Sequence, residues 1–153
     1  MTSQIAPASR VPTQVALFSP VLNFLLRAHV PLGPNRLVTI RGRSTGLPRT
    51  TGLAVITTRE GRWVWAPWGE VNWVRNLRAS GRATITDHGR TEEVVASELE
   101  PAERVAFFRD ILGPLARRIP FGTTFIRLVD GVDISDPVRA ADGRVVFELH
   151  PLP

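Results

Sequence analysis

Short runs of β-branched and apolar residues, separated by turn-forming residues, follow one another along most of the chain. The runs at 37–41, 49–58, 62–66, 82–87, 91–99 and 145–150 each predict a strand. Two pairs of runs are joined by very short turns, so the strands they form are predicted to pair antiparallel. Six short strands with few helices predict an α+β, mainly β, fold: a closed or half-open barrel of about six antiparallel strands with flanking helices.

The residues before the first strand predict an arm and a helix. Residues 1–12 are small, polar and proline-containing, which is typical of a flexible arm. Ser19 and Pro20 predict the start of a helix over about 19–29. Its apolar stripe fits three roles: core packing, a lid over a lipophilic substrate, or peripheral contact with a membrane. The helix is too short and polar to span a bilayer and no secretory signal is visible, so a cytoplasmic location is expected, with membrane association left open.

Two further helices are predicted. The first covers 73–80, with Asn72 as its N-cap and Gly81 as its end. The second is amphipathic and begins at Pro101, and Gly113-Pro114 is expected to break or kink it.

Composition indicates one ordinary globular unit. Apolar residues make up 43% of the chain and charged residues 22%, which is typical of a folded protein. No linker or repeat divides the 153 residues, so 1–153 are expected to form a single domain, although 117–143 show no regular pattern. The absence of cysteine excludes disulfides, thiolate metal sites and a cysteine nucleophile.

The charge favours anionic partners. The formal net charge is +5 and all 19 basic side chains are arginines. The planar guanidinium binds phosphate and carboxylate groups through two parallel hydrogen bonds. Among the anionic partners (phosphates, carboxylates, anionic lipid and nucleic acid), nucleic acid is the least favoured, and no nucleic-acid partner is expected.

Residues for direct catalysis are missing from the sequence. His29, His88 and His150 belong to separate elements and match no metal spacing, so no metal is expected. No phosphate loop, nucleophile elbow or tyrosine occurs. The catalytic residues are therefore left unassigned, and a bound cofactor is expected to carry the chemistry.

An arginine-rich turn and a group of tryptophans are the strongest binding features. Arg41, Arg43 and Arg49 flank a turn. The backbone N–H groups of such a turn, together with the guanidinium groups, are suited to bind an anion. Trp63, Trp65, Trp68 and Trp73 follow within eleven positions. Such rings fill a core or line the site of a planar cofactor, and the sequence leaves both open.

The segment Leu37 to Leu53, with Gly42-Arg43, Thr45-Gly46 and Pro48-Arg49, resembles the deazaflavin-dependent nitroreductase family of actinobacteria. The second matching segment runs from Ala66 to Ala79 and contains a Trp…Asn-Leu helix. The resemblance implies a split β-barrel, the cofactor coenzyme F420 and a small hydrophobic acceptor. F420 carries a phosphodiester and an oligoglutamate tail.

The resemblance also implies a set of cofactor-binding residues. The phosphate and the acidic tail would be held by Arg43, Ser44, Thr45 and Arg49. The deazaflavin would be lined by Thr50, Thr51, Gly52, Leu53, Ala54, Ala66, Pro67, Trp68, Gly69, Asn72, Trp73 and Asn76.

The expected function is hydride transfer from reduced F420 to a quinone-like, nitroaromatic or other conjugated acceptor. Ser44 stands where many family members have lysine and no tyrosine occurs, so the resemblance supports the family more than nitroreduction. The alternatives are an FMN-dependent oxidoreductase on the same barrel and a non-catalytic carrier of lipid or another hydrophobic ligand. The sequence leaves the oligomeric state open.

Overall fold

A computed structural model of the protein describes residues 35–153, apart from the side chain of Val129. The predicted arm at 1–12 and the predicted helix at 19–29 lie outside the described residues. Within 35–153, no helix is long and apolar enough to cross a bilayer.

Six strands form a closed antiparallel barrel in the order β1-β2-β3-β6-β5-β4. Their bounds are Asn35–Arg41 (β1), Pro48–Thr57 (β2), Arg62–Ala66 (β3), Arg82–Asp87 (β4), Arg90–Glu98 (β5) and Val145–Pro151 (β6). β4 pairs with β1, with Val38 opposite Ile85, which completes the ring. The predicted barrel is confirmed, in its closed form.

The connections divide the barrel into two ends. Residues 42–47 and 67–71 lie at the upper end, where β1 and β3 finish. The hairpins at 58–61 and 88–89 lie at the lower end. His88 and Gly89 both have positive φ, +48° and +76°, as a tight turn matched to the strand twist requires.

The barrel interior is apolar and its upper end is covered by helix α1 (Asn72–Ser80). Val74 and Leu77 of α1 are buried in the cluster that fills the barrel, together with Phe147 of β6. Gly81 ends α1 in the left-handed conformation, as predicted. The predicted cap at Asn72 is wrong: Asn72 is the first helical residue and Val71 precedes it without a side-chain cap bond.

A second apolar cluster lies outside the barrel, beneath a helical layer. The layer consists of α2 (Pro101–Ala106), a π-helical turn (Phe107–Leu112), α3 (Gly113–Arg118), α4 (Gly122–Asp130) and α5 (Pro137–Ala141). α4 and α5 correct the expectation that 117–143 would lack regular structure. Their short amphipathic patterns are interrupted by Gly131 and Pro137, which hides them in the sequence.

Of the break or kink expected at Gly113-Pro114, the break is wrong, because the helix runs on to Arg118. The backbone N–H of Gly113 donates to the carbonyl of Phe108, the wide spacing of a π-helical turn. Pro114 has no N–H and its ring crowds the preceding turn. The wider turn lets the helix pass the proline without ending.

Candidate functional site

The loop between β1 and β2 is a turn closed by its own backbone. The N–H of Gly42 donates to the carbonyl of Leu47 at 2.8 Å, and the N–H of Gly46 donates to the carbonyl of Gly42 at 2.9 Å. The hydroxyl of Thr45 accepts from the N–H of Leu47 at 3.2 Å. Gly46 has φ +71°, a conformation that glycine adopts at no steric cost. We call residues 41–49 the arginine turn.

Arg43 is fixed to helix α1 by Asn76. The backbone N–H of Arg43 donates to Asn76 Oδ1 at 3.2 Å, and its guanidinium Nη1 donates to the same oxygen at 2.7 Å. Nη1 also lies 3.5 Å from the carbonyl oxygen of Asn72. Asn76 is only 8% exposed, and its amide nitrogen has no hydrogen-bond partner among the described residues. The structure therefore brings Arg43, Asn72 and Asn76 together.

Arg41 and Arg49 lie on the two sides of the arginine turn. Arg41 lies across Gly46, since a Cβ on that glycine would sit 3.3 Å from Arg41 Nη2. The side chain of Arg49 passes Gly42, where a Cβ would sit 3.7 Å from Arg49 Cγ. Arg49 pairs with inward-facing Ile40, so it lies on the barrel side of the hairpin while Arg41 lies on the outer side.

No carboxylate neutralises these three arginines within residues 35–153. Some arginines on other elements are paired with acids, such as Arg36 with Asp87 at 2.9 Å and Arg62 with Glu92 at 2.7 Å. The arginine turn therefore concentrates uncompensated positive charge beside exposed Ser44 and Thr45. Such a donor set fits a phosphate or a chain of carboxylates.

A seam separates the upper parts of β2 and β3. The ladder between these strands covers only Val55–Thr57 of β2, paired with Arg62–Val64 of β3. Pro67 follows the last residue of β3 and has no N–H with which to extend the ladder. The predicted groups 50–54 and 66–69 lie beyond the end of this ladder, one on each of its two strands' upper sides, with no ladder pairing between them.

Strand alternation divides the side chains of 50–54. Thr51 and Leu53 pair with Val38 and Arg36 on the interior face, and Leu53 packs against the interior cluster. Thr50 points outward, and its hydroxyl lies 2.8 Å from that of Thr39. Gly52 and Ala54 share this outer face. Thr51 and Leu53 are thus limited to main-chain contacts with a ligand on the outer face.

The four indoles have different positions. Trp63 and Trp65 belong to the outer cluster, with ring centroids 5.9 Å from Phe107 and 5.6 Å from Phe108. Trp73 packs inward, 6.3 Å from Phe147, and Ala66 is also buried in the barrel. Trp68 is half-buried and makes no ring contact among the described residues. Trp68 is therefore the indole best placed to stack on a planar ligand at the seam.

The loop at 66–71 is held by a charge cluster that sequence reasoning missed. Arg78 of α1 donates to both carboxylate oxygens of Glu70, at 2.7 and 2.8 Å, and to those of Glu98, at 2.9 and 2.6 Å. The hydrogen bond from Arg78 lowers the pKa of Glu70, and burial opposes this only in part. The partners are eight and twenty positions from Arg78, spacings that predict no contact.

The lower end of the barrel holds a cavity of about 240 Å³. It is lined by the paired residues Arg36, Asp87, Arg62 and Glu92, over a floor that includes Val55 and Ile85. The hydrogen bond from Arg62 lowers the pKa of Glu92. Because its charges are largely compensated and it lies away from the arginine turn, this cavity is a weaker candidate for an anionic cofactor.

Known proteins resemble the chain in sequence and in fold. A family model described as F420H(2)-dependent quinone reductase matches residues 26–116, more than half of the chain. No curated protein matches it.

Solved structures share its fold at low sequence identity. A conserved hypothetical protein from Mycobacterium tuberculosis has a TM-score of 0.52 and 16% identity, over 99% of this chain and 87% of that one. A putative 5-nitroimidazole antibiotic resistance protein from Bacteroides thetaiotaomicron has a TM-score of 0.52 and 12% identity, over 81% and 76%. The heme storage protein HutZ from Vibrio cholerae has a TM-score of 0.50 and 17% identity, over 88% and 89%.

Proposed function

Because the chain belongs to the F420H(2)-dependent quinone reductase family, and is thus an oxidoreductase that uses coenzyme F420, we propose that its acceptor is a quinone-like molecule. When bound in reduced form, F420 supplies the hydride. The residues of the chain bind the cofactor, orient it and expose one face of it to the acceptor.

The observation that carries the binding proposal is the unpaired charge of the arginine turn beside the seam. Arg43, Ser44, Thr45 and Arg49 hold the phosphodiester and the oligoglutamate tail. Arg41, which the sequence pattern places beside the turn but the family resemblance does not include, adds a third guanidinium. Arg43 is already oriented by Asn76 before any ligand arrives. Preorganised donors of this kind raise affinity because less side-chain entropy is lost on binding.

The deazaflavin lies along the seam in this proposal. Thr50, Gly52 and Ala54 present the outer face of β2, and Thr51 and Leu53 contribute main-chain groups. Across the seam, the loop from Ala66 to Gly69 presents Pro67 and Trp68, while Asn72, Trp73 and Asn76 form the end next to the arginine turn. The amide nitrogen of Asn76, which has no hydrogen-bond partner among residues 35–153, is available to donate to a ring carbonyl.

Among residues 35–153, the proposed site includes no histidine. The nearby carboxylate of Glu70 is held by Arg78, and that hydrogen bond lowers its pKa. In this proposal, the proton that completes quinone reduction comes from solvent. A quinone suits such a site because its reduced anion is stable enough to be protonated by water.

Two measurements test the proposal in order. Titration of F420 with the protein, followed by cofactor fluorescence, is expected to give a micromolar or tighter dissociation constant. Reoxidation of reduced F420 is then followed by absorbance with quinones, nitroaromatics and enones of matched reduction potential. Faster turnover of quinones supports the proposal. Binding without quinone turnover, or preference for another acceptor class, refutes the quinone assignment, and absence of binding refutes the site.

A further inference from the structure

The corner between α3 and α4 exposes large apolar side chains. Phe121, Phe125 and Leu128 are 85%, 63% and 79% exposed, and Ile119 just before them is 54% exposed. Positions 121, 125 and 128 fall on one side of α4, whereas Ile126 on the other side packs against the outer cluster. We call Ile119, Phe121, Phe125 and Leu128 the apolar face. Contiguous apolar patches of this kind are uncommon on soluble proteins unless they bind something.

The backbone holds this face in place at a conformational cost. Phe121 has φ +61°, a left-handed conformation that a bulky residue rarely adopts. Gly122 is buried against α3, where a Cβ would sit 2.4 Å from the carbonyl oxygen of Ala116. The close approach at Gly122 fixes the corner, and Phe121 is turned outward as a result. Strain that is retained to expose an aromatic ring is typical of a functional surface.

The charge around the apolar face is positive. From Gly113 to Val129 the sequence has three arginines, Arg117, Arg118 and Arg127, and no acidic residue. All three are exposed. Three acids lie close to this rim: Glu60 is within electrostatic range of Arg118 as well as Arg59, Asp133 is within range of Arg127 as well as Arg139, and half-buried Asp130 ends α4. The arginines still outnumber these acids, so the charge around the apolar face stays positive. A basic rim around protruding apolar side chains complements an anionic surface.

The same charge disfavours two other occupants. Residues 1–34 contain two arginines and no acidic residue, so they offer nothing to pair with the rim. A second copy would bring an identical basic rim on a chain of net charge +5. The apolar side chains protrude rather than line a groove, which suits insertion among lipids better than recognition of a folded acidic protein. We propose that the α3–α4 corner docks this protein on an anionic membrane surface.

Docking at this corner has a consequence for the acceptor, and only this consequence rests on the proposed function. Ile126 of α4 and the outward-facing Ile56 of β2 belong to the same outer cluster. The outer cluster therefore connects α4 to the part of β2 below the seam. If the quinone acceptor of the proposed function is dissolved in the bilayer, docking brings the protein to the membrane that holds it.

Vesicle sedimentation with the full-length protein tests the docking without any cofactor. The probes are vesicles of phosphatidylcholine alone and of phosphatidylcholine with phosphatidylglycerol. The variant F121N/F125Q/L128Q removes the apolar side chains, and asparagine tolerates the left-handed φ at 121. The variant R117Q/R118Q/R127Q removes the rim. The matched controls are V138Q, which changes an equally exposed apolar residue on α5, and R75Q/R82Q/R90Q, which removes three exposed charges elsewhere.

The wild-type protein is expected to bind the anionic vesicles and not the neutral ones. The partition coefficient of each patch variant onto the anionic vesicles is expected to fall at least about tenfold. Even one or two basic residues near an anionic surface change this coefficient roughly tenfold. The two controls are expected to change it less than threefold. Equal binding to both vesicle types, no binding, or equal loss in controls and patch variants overturns the proposal. So does a wild-type dimer that the apolar variant converts to monomer, since the face then serves a second copy.

Turnover of a water-soluble quinone without vesicles separates this inference from the proposed function. The patch variants are expected to match the wild type in that assay, because the arginine turn and the seam are untouched. A protein that sediments with vesicles but does not bind F420 retains the docking surface and refutes only the proposed function.

Discussion

The side-chain oxygen of Asn76 accepts two hydrogen bonds from Arg43, one from the backbone N–H and one from the guanidinium. The two residues are 33 positions apart and belong to different elements, the β1–β2 loop and helix α1. This contact couples the arginine turn to the helix that closes the barrel. It also gives Asn76 a positioning role toward Arg43 in addition to its place in the proposed cofactor wall.

Replacement of Asn76 by alanine is expected to weaken F420 binding about tenfold. The charge-assisted bond that orients Arg43 is lost, and such bonds contribute about 1.5–3 kcal/mol. Fluorescence titration of the wild type, N76A, R43A and the double variant measures the coupling. If Asn76 acts through Arg43, N76A has little further effect in the R43A background. Fully additive losses would show that the two residues act independently.

Arg49→Ala is expected to weaken F420 binding at least tenfold, whereas Arg59→Ala is expected to change it less than twofold. Arg49 contributes to the unpaired charge of the arginine turn, and Arg59 lies in the hairpin at the opposite end of the barrel. Because both side chains are exposed, the two variant proteins are expected to have similar unfolding free energies. The same titration compares them, and equal effects of the two substitutions would remove the basis for the assigned anion site.

The barrel and the arginine turn were accessible to sequence reasoning because both depend on local patterns. Alternating apolar residues and short turns predict β3 and β4 to the residue. The Asn76–Arg43 contact and the Arg78 cluster depend on the closure of the barrel, which brings residues 8 to 33 positions apart together. No local spacing predicts such contacts.

The helical layer shows a second limit of sequence patterns. Pro114 normally marks the end of a helix, but a π-helical turn accommodates it here. The tryptophans show a third, since four indoles close in sequence are divided between two cores and the seam. Trp63 and Trp65 share the outer face of β3, whereas Trp68 lies in the loop after β3 and Trp73 in α1, so the element that carries each indole separates these roles.

Trp65→Ala is expected mainly to lower stability, whereas Trp68→Ala is expected mainly to lower cofactor affinity. Trp65 is buried against Phe108, so its truncation leaves a cavity and costs about 3–5 kcal/mol of unfolding free energy. Trp68 is half-buried without a ring partner, so W68A is expected to cost less than about 1.5 kcal/mol. Denaturant unfolding measures the stability of each variant.

Binding of F420 distinguishes the two tryptophans further. W68A is expected to lower the affinity severalfold because the stacking surface at the seam is lost. W65A, measured where it remains folded, is expected to bind normally. A W68A protein with unchanged affinity would place the deazaflavin away from this indole.

Asp130 at the end of α4 is expected to make the protein more stable at pH 5 than at pH 8. Burial raises the pKa of Asp130 to about 6, and Arg144 offsets this only in part. The guanidinium of Arg144 donates instead to the carbonyls of Ala140, at 3.0 Å, and Gly131, at 3.2 Å. The folded protein therefore binds a proton at Asp130 more tightly than the unfolded chain does, and that stabilisation is lost as the pH rises through about 6.

The substitution Asp130→Asn isolates this contribution, because asparagine is neutral at every pH and nearly the same size. The unfolding free energy of D130N relative to the wild type is expected to be higher at pH 8 than at pH 5, by on the order of 1–2 kcal/mol. Urea unfolding of both proteins at the two pH values gives this difference directly, and all other titrating groups cancel in it. A difference that does not change with pH would mean that Asp130 is well solvated in the folded protein, and one of opposite sign would mean that Arg144 pairs with it.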